Sequence, residues 1–316
     1  MSQLNNSTSV SILNAAVAPA GPFSPSWVRN IGLALVAGLV LGMGLALVRE
    51  SLDNTILGKR TLERAIDGLP VLGLIPSPNR NRFGKKPERR LVTTRTGAFT
   101  EGFRSLQSAI ELGQAAGTEI RSILVTSANA AEGKSTVASH LAVAFARSGA
   151  SVLMIDADMH NPTQHELFQI PNENGLADQL SSVGSAEIVT EVASGEGLLS
   201  VIPAGSTAVP PADLLRSVNA QEFIEKLSYA YDLVIIDSPP LRPVADTLPL
   251  ARVADATILV AMRGRTNSSE VEEAMEMLAR AQTTPLGGVL TAVDEGQTGY
   301  GYGYGYGSGG SNGRRR

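Results

Sequence analysis

No charged residue interrupts the chain between Ile31 and Val48, a run of Leu, Val, Ala and Gly. As a helix it would reach about 27 Å, close to the hydrocarbon thickness of a bilayer. Beyond it the pattern changes scale. Short apolar runs recur at Val71–Ile75, Ile123–Thr126, Val152–Ile155, Leu199–Ile202, Leu233–Ile236, Ala256–Val260 and Gly288–Leu290, with the length and bounding residues of buried strands. Helical spacing falls between most of them. Ser51–Ile66 reads as one or two short helices, and Phe99–Leu112 places Phe103, Leu106 and Ile110 on one face. Val137–Arg147 does the same with Val137, Leu141, Ala144 and Phe145, and Ala220–Tyr229 and Ser268–Ala281 complete the set. Strand and helix in alternation predict an α/β fold, a mostly parallel sheet with helices on both faces. Ligands then bind beyond the carboxyl ends of the strands.

The flanks of the long apolar run decide between a membrane span and a signal peptide. A signal peptide carries its basic residues ahead of the apolar core and a cleavage site after it. Here only Arg29 precedes, and Arg49-Glu50 follow directly. Trp27 sits where an interfacial anchor belongs, after prolines at 19, 22 and 25 that favour an extended approach. Lys and Arg crowd the C-terminal side (Arg49, Lys59, Arg60, Arg64 and Arg80 onward), which puts residues 1–27 outside and the rest in the cytoplasm. Gly38, Gly42 and Gly44 would permit close packing on another helix. The basic run from Asn79 to Arg95 reads as a solvated linker that can also hold the domain near anionic lipid. The expected organisation is an outer tail at 1–27, a membrane helix at 28–49, a juxtamembrane region and linker at 50–96, the alternating strand–helix domain at 97–296 and a disordered tail at 297–316.

Charge and composition narrow the chemistry. A net charge of −4 argues against a general nucleic-acid binder, and the absence of cysteine removes disulfides, thiolate metal sites and thiol nucleophiles. His140, His160 and His165 do not form a persuasive zinc set, and His140 falls on a helix where packing is the simpler role.

The chemistry-bearing stretch is Arg121–Thr136, RSILVTSANAAEGKST. A strand, a small-residue turn, Gly-Lys-Ser-Thr and a helix form the setting of a phosphate-binding loop. Loop N–H groups at Ala131, Glu132, Gly133, Lys134, Ser135 and Thr136 and the positive end of the helix dipole converge on an anion. Lys134 can reach the β- and γ-phosphates of ATP, and the Ser135 hydroxyl can ligate Mg²⁺. Ala128 stands where the usual spacing has its first glycine. Two further strands end in acids: VLMI runs into Asp156-Ala157-Asp158, and LVII into Asp237-Ser238-Pro239-Pro240. Acids at strand tips beside such a loop are where a magnesium ion finds hard oxygen ligands. The spacing of two points Asp156 and Asp158 to the same side of an extended backbone.

These motifs resemble the bacterial tyrosine kinases, the membrane-associated P-loop NTPases that accompany polysaccharide export, from Pro19 onward. LMIDADMH matches the family's apolar-Asp-x-Asp-x-Arg motif and VIIDSPP its apolar-Asp-x-Pro-Pro. The resemblance implies that Lys134, Ser135 and Thr136 bind phosphate and magnesium, while Asp156, Asp158 and Asp237 organise magnesium and activate the attacking hydroxyl. It also implies partners: further copies of this chain, co-polymerase or export proteins of the membrane, and a tyrosine phosphatase. The proline-spaced entry, the anchor and Leu52-Asp53-Asn54-Thr55 resemble the second span of the family's chain-length-regulating half, whose external domain and first span this sequence lacks. Three positions depart from the family: His160 replaces Arg, Gln107 replaces the second Arg of a self-assembly motif that Glu101 and Arg104 match, and Thr291 stands where relatives place an adenine-reading Asn.

The end of the chain bears on the reaction. Tyr300, Tyr302, Tyr304 and Tyr306 alternate with glycine, a composition that cannot build a core. Read alone it is a low-complexity, aggregation-prone strip. By resemblance it is the autophosphorylation substrate, with glycine giving reach and each phosphate adding about −1.5 to −2 charge. An alternative class is a membrane-tethered ATPase switch of the septum-site or partitioning type. The extra lysine those proteins carry early in the loop has no counterpart in Ala128–Glu132. A non-enzymatic scaffold, marked by Gln107, His160 and Thr291, is the third reading.

Overall fold

Strand β2 (Ser122–Ser127) is buried at every position and lies near the middle of an eight-stranded sheet, as its unbroken apolar run requires. The structure is a computed structural model that describes residues 26–52, 54–77, 97–115, 117, 119–181, 188–193, 197–206, 209–242, 246–294 and 296. Residues 1–25 of the expected outer tail, the basic run and all four tail tyrosines lie outside the described residues.

Two compact units divide the chain at Asp53/Asn54. The first holds helix α1 (Trp27–Leu52). Its stretch Trp27–Arg49, with mean hydropathy 2.5, is long and apolar enough to cross a membrane, and none of it is buried within the protein.

The second unit begins at Asn54 with an extended segment, then α2 (Lys59–Ala65) and β1 (Val71–Pro76). The pattern over Ser51–Ile66 therefore resolves into the end of α1, extended chain and one helix. From Ala98 onward come α3 (Ala98–Ala115), β2, α4 (Lys134–Arg147), β3 (Val152–Asp156), α5 (Gln164–Phe168) and α6 (Leu176–Leu180). The chain continues through β4 (Thr190–Ala193), β5 (Leu198–Ile202), α7 (Pro211–Leu215), α8 (Val218–Ala230) and β6 (Leu233–Asp237). It ends with α9 (Thr247–Val253), β7 (Ala256–Met262), α10 (Ser268–Arg280) and β8 (Gly287–Val293).

The strand order is β1-β8-β7-β2-β6-β3-β5-β4, parallel throughout except for β4 against β5. Because β1 pairs with β8, residues 54–77 belong to the globular unit, ahead of the start at 97 that the sequence suggests. Alternate residues of the central strands feed two cores. Ile123, Val125, Val152, Met154 and Ile235 pack with α3 and α4, whereas Leu124, Leu153, Ile155 and Ile236 pack under α2 and α6 to α10. Phe103, Leu106 and Ile110 of α3 are buried as their spacing predicts. Ala144 of α4 is only half-buried, with Ala142 and Ala146 taking the inner face instead. One consequence of the strand order matters for chemistry. β6 lies between β2 and β3, in register Val125↔Asp237 and Asp156↔Asp237, so the phosphate-loop strand and both acid-tipped strands end side by side.

Candidate active site

After β2 the chain turns through Ala128–Gly133 and enters α4 at Lys134, three residues before the periodicity places the helix start. Ala131 and Gly133 have φ of 63° and 97°, whereas Ala128 is not among the left-handed residues, so an alanine serves there. At Gly133 a Cβ would add close contact with Thr291, 3.3 Å from Cγ2, to an already left-handed backbone. Three side chains hold this turn from beneath. Glu132 is 1% exposed and accepts from Thr266 Oγ1 at 2.7 Å, Asn129 N at 3.0 Å and Asn129 Nδ2 at 3.3 Å. Burial pushes its pKa up, against those three donors. Thr291, buried, directs its hydroxyl to the Glu132 carbonyl at 2.7 Å, with Ala261 O at 3.2 Å. Arg242 Nη1 grips Asn129 Oδ1 at 2.9 Å and Glu270 at 2.9 Å. The Glu132 carboxylate is thus a strut under the turn. Thr291, at the position of an adenine-reading Asn in relatives, is here committed to the loop.

Lys134, 6% exposed, points its Nζ to Asp158 Oδ2 at 2.6 Å, to Asp237 Oδ1 at 3.7 Å and to Ser135 Oγ at 3.3 Å. Asp158 lies beyond the end of β3, and a turn carries it to the lysine, where Asn161 N donates to its other oxygen at 3.1 Å. Asp156, the strand's last residue, is fully buried and accepts three backbone N–H groups: Gln164 at 2.9 Å, Thr163 at 3.0 Å and Asp158 at 3.2 Å. The four sequence-predicted groups therefore meet, and each acid has a different setting.

Electrostatics follow from burial. Desolvation alone would lower the Lys134 pKa, but Asp237 and Asp158 outweigh it and raise it. Desolvation raises Asp237 despite Lys134, Ser135 and Gln164, and raises Asp156 to about 8 with help from the Asp237 carboxylate. A proton is thus held on Asp156 in the fold at pH values where an unfolded Asp, with a pKa of about 3.9, has lost it. Stability of the metal-free protein must then fall as pH rises from about 4 toward 8. Melting in EDTA is expected to show a falling midpoint over that range, with a shallower slope in Asp156→Asn. A wild-type midpoint that stays level or rises would contradict it.

The sequence reading missed Gln164, which bridges these groups. It is 0% exposed, and its Nε2 donates to Asp237 Oδ2 at 2.8 Å and to Ser135 O at 3.2 Å. Pro162-Thr163 ahead of it is a helix-start signal that could have drawn attention to the position. His160 Nε2 lies 2.9 Å from Asp246 Oδ2, so a carboxylate partners the imidazole that replaces arginine. His140 stacks on Phe103 at 5.0 Å and meets Phe99 edge-on at 5.0 Å, a packing role. Gln107, 9% exposed, bonds Glu111 at 2.8 Å and Ser148 at 3.0 Å, while Glu101 and Arg104 pair on the surface at 3.5 Å.

A parallel sheet whose loop, lysine and strand-end acids converge in this way is a P-loop NTPase domain of the ParA type. Residues 119–293 match the ParA family model, described as NUBPL iron-transfer P-loop NTPase, though this chain has no cysteine thiolate to carry iron. The chain is similar to tyrosine-protein kinase YwqD of Bacillus subtilis (strain 168), 36% identical over 213 residues, covering 67% of this chain and 89% of that protein. It is 29% identical over 301 residues to tyrosine-protein kinase etk of Escherichia coli (strain K12), covering 90% of this chain and 41% of that one. Among solved structures it resembles the BceF tyrosine kinase domain, with a TM-score of 0.67 and 32% identity over 76% of this chain and 99% of the other. The chain belongs to the bacterial tyrosine kinases.

Proposed function

We propose that this protein is a membrane-anchored tyrosine autokinase. It transfers the γ-phosphoryl group of ATP to Tyr300, Tyr302, Tyr304 and Tyr306 of a neighbouring copy and so regulates polysaccharide synthesis and export. The observation that carries this reading is Lys134 at the start of α4, within 2.6 Å of Asp158 and 3.7 Å of Asp237. Mg·ATP fits the residues present. Asp237 Oδ1 is buried with no donor at hydrogen-bond distance, a hard oxygen whose nearest cation, Lys134 Nζ, stands 3.7 Å away. Mg·ATP, when bound, supplies the phosphoryl group and a divalent charge that offsets the acids.

The protein's own groups divide the remaining work. The N–H groups of Ala131–Thr136 would cradle the phosphates, and Lys134 Nζ would stabilise charge on the transferred group. Ser135 and Asp237 are suited to hold the metal. Asp156, pinned by three backbone donors, sets the shape of the acid-bearing turn, whereas Asp158 Oδ2, paired with Lys134 at 2.6 Å, would orient the tyrosine hydroxyl and accept its proton. Helix α1 serves as a membrane span, and the positive-inside bias supports residues 1–27 outside with the kinase unit in the cytoplasm. Family membership supports partnership with co-polymerase or export proteins and resetting by a tyrosine phosphatase.

The ParA match favours one other reading, a tethered ATPase switch that modifies no protein. Labelled ATP and Mg²⁺ with the full chain in micelles separate the two. Phosphotyrosine that disappears when all four tail tyrosines become phenylalanine is the expected result, together with a change in oligomer size on phosphorylation. Free phosphate without incorporation supports the switch, and undiminished incorporation in the four-fold variant refutes the tail as substrate.

A further inference from the structure

We propose that Gln164 is a positioning residue for divalent-cation-dependent nucleotide binding, acting through Asp237 and Ser135. The inference rests on the nucleotide reading above and goes beyond it, because no phosphate-loop or strand-end motif includes this position. Gln164 opens α5 and is fully buried. Its side-chain amide spans two elements, donating to Asp237 Oδ2 at the tip of β6 (2.8 Å) and to the Ser135 carbonyl in the first turn of α4 (3.2 Å). Its backbone N–H reaches a third, giving 2.9 Å to Asp156 Oδ2 at the tip of β3. One residue therefore ties together the three places that would surround a metal–phosphate complex.

The orientation of the amide follows from its partners. A carboxylate oxygen and a carbonyl oxygen are both acceptors, so the NH₂ group must face them and Oε1 must face elsewhere. That Oε1 is buried and accepts no hydrogen bond, and neither does Asp237 Oδ1. The two are the outer ends of one amide–carboxylate pair, and the nearest cation, Lys134 Nζ, is 3.7 Å from the carboxylate oxygen. Buried acceptors are ordinarily satisfied, and two that lack a donor in a single hydrogen-bonded pair suit a ligand that brings donors and positive charge. A hydrated magnesium ion has that chemistry. Partners that orient a ligating carboxylate typically govern metal affinity by about 10- to 100-fold.

A plain packing role predicts something different. Removing a core filler would weaken the protein alike with and without magnesium. Loss of a positioning amide would change the magnesium dependence instead. The test is ADP affinity by calorimetry on the full chain in micelles, measured in EDTA and across a magnesium titration, for wild type and Gln164→Met, which fills similar space without hydrogen bonds. The expected result is a rise of about tenfold in half-saturating magnesium, with ADP affinity in EDTA within about twofold of wild type. A magnesium midpoint within about twofold of wild type overturns the inference, as does an affinity loss equal in EDTA and magnesium. Should the Met variant fail to fold, Gln164→Asn is read in its place. A shorter amide cannot span both acceptors, so a shift of about threefold or more supports the role, and no shift refutes it. If magnesium does not tighten ADP binding to the wild type, the nucleotide reading itself falls and this inference with it. If only the variants keep wild-type behaviour, the nucleotide reading stands.

Discussion

Lys134→Met is expected to abolish phosphotransfer, by about a thousandfold or more, and to destabilise the metal-free protein as well. The second effect is the more diagnostic. Three acids, Asp156, Asp158 and Asp237, are 0–2% exposed around one ammonium group that is 6% exposed. Removing the cation from a buried ionic cluster costs about 3–5 kcal/mol, because the remaining charges lose their partner without regaining water. Protonation relieves part of this. Asp156 and Asp237 already have raised pKa values, so the loss should be smaller at low pH, where protonation discharges the acids, and should grow as pH rises. Asp158, at 2.6 Å, bears the closest charge. Lys134→Met/Asp158→Asn should therefore recover much of the stability and none of the activity. Thermal melts in EDTA at low and high pH check the first part, and phosphotyrosine detection the second. A double variant no more stable than the single one would show that the lysine's partner has been misassigned. Nucleotide binding by the single variant at wild-type strength would show that the loop is not the phosphate site.

This cluster was legible in the sequence for a definite reason. A fully buried parallel strand must read as a continuous apolar run, so its end is visible, and an acid immediately after it is already placed at the ligand-binding edge. Lys134 was legible in the same way, through the glycine, serine and threonine that a strand-to-helix phosphate turn demands. What the sequence did not display were the groups that hold these in place. Gln164 sits on a helix of five residues, too short for any periodicity to register. The contacts of Glu132 with Thr266 and of Thr291 with the loop join residues 134 and 159 positions apart, a distance at which no local spacing carries information. Strand β4 and the short helices α5, α6, α7 and α9 were missed for the same reason. Each is fixed by where the sheet edge and the strand ends lie, and four to seven residues hold too few turns to announce themselves. The juxtamembrane boundary shifted because Val71–Ile75, taken as an isolated apolar run, finds its partner in β8 at the far end of the domain.

Thr266→Val is expected to weaken nucleotide binding by about tenfold and to lower stability by about 1–3 kcal/mol, although residue 266 stands outside every recognisable motif. The Thr266 hydroxyl is the shortest donor to the Glu132 carboxylate, at 2.7 Å, and accepts from Met262 N at 2.8 Å. Valine keeps the shape and removes both bonds, leaving an acid that is 1% exposed with only Asn129 to satisfy it. Ionised Glu132 would then press outward against the loop it anchors, whose backbone N–H groups we propose hold the phosphates. The penalty should shrink as pH falls, since burial has already raised the Glu132 pKa and a protonated carboxyl needs fewer donors. Thr266→Ser restores the hydroxyl and should return binding to within about twofold of wild type; a serine variant as weak as valine would instead assign the effect to packing. The loop that carries Thr266, between β7 and α10, is where residues 54–56 are fastened. Ile56, fully buried, exchanges backbone bonds with Thr266 O (2.8 Å) and Gly264 N (2.9 Å), and Ser268 N bonds Asn54 O at 2.8 Å. Ile56→Asp should therefore reproduce the valine phenotype from the opposite side of the loop, raising the ADP dissociation constant in calorimetry while leaving every phosphate-loop residue intact. If Ile56→Asp folds and binds ADP as wild type does, the strut under Glu132 holds without support from residues 54–57.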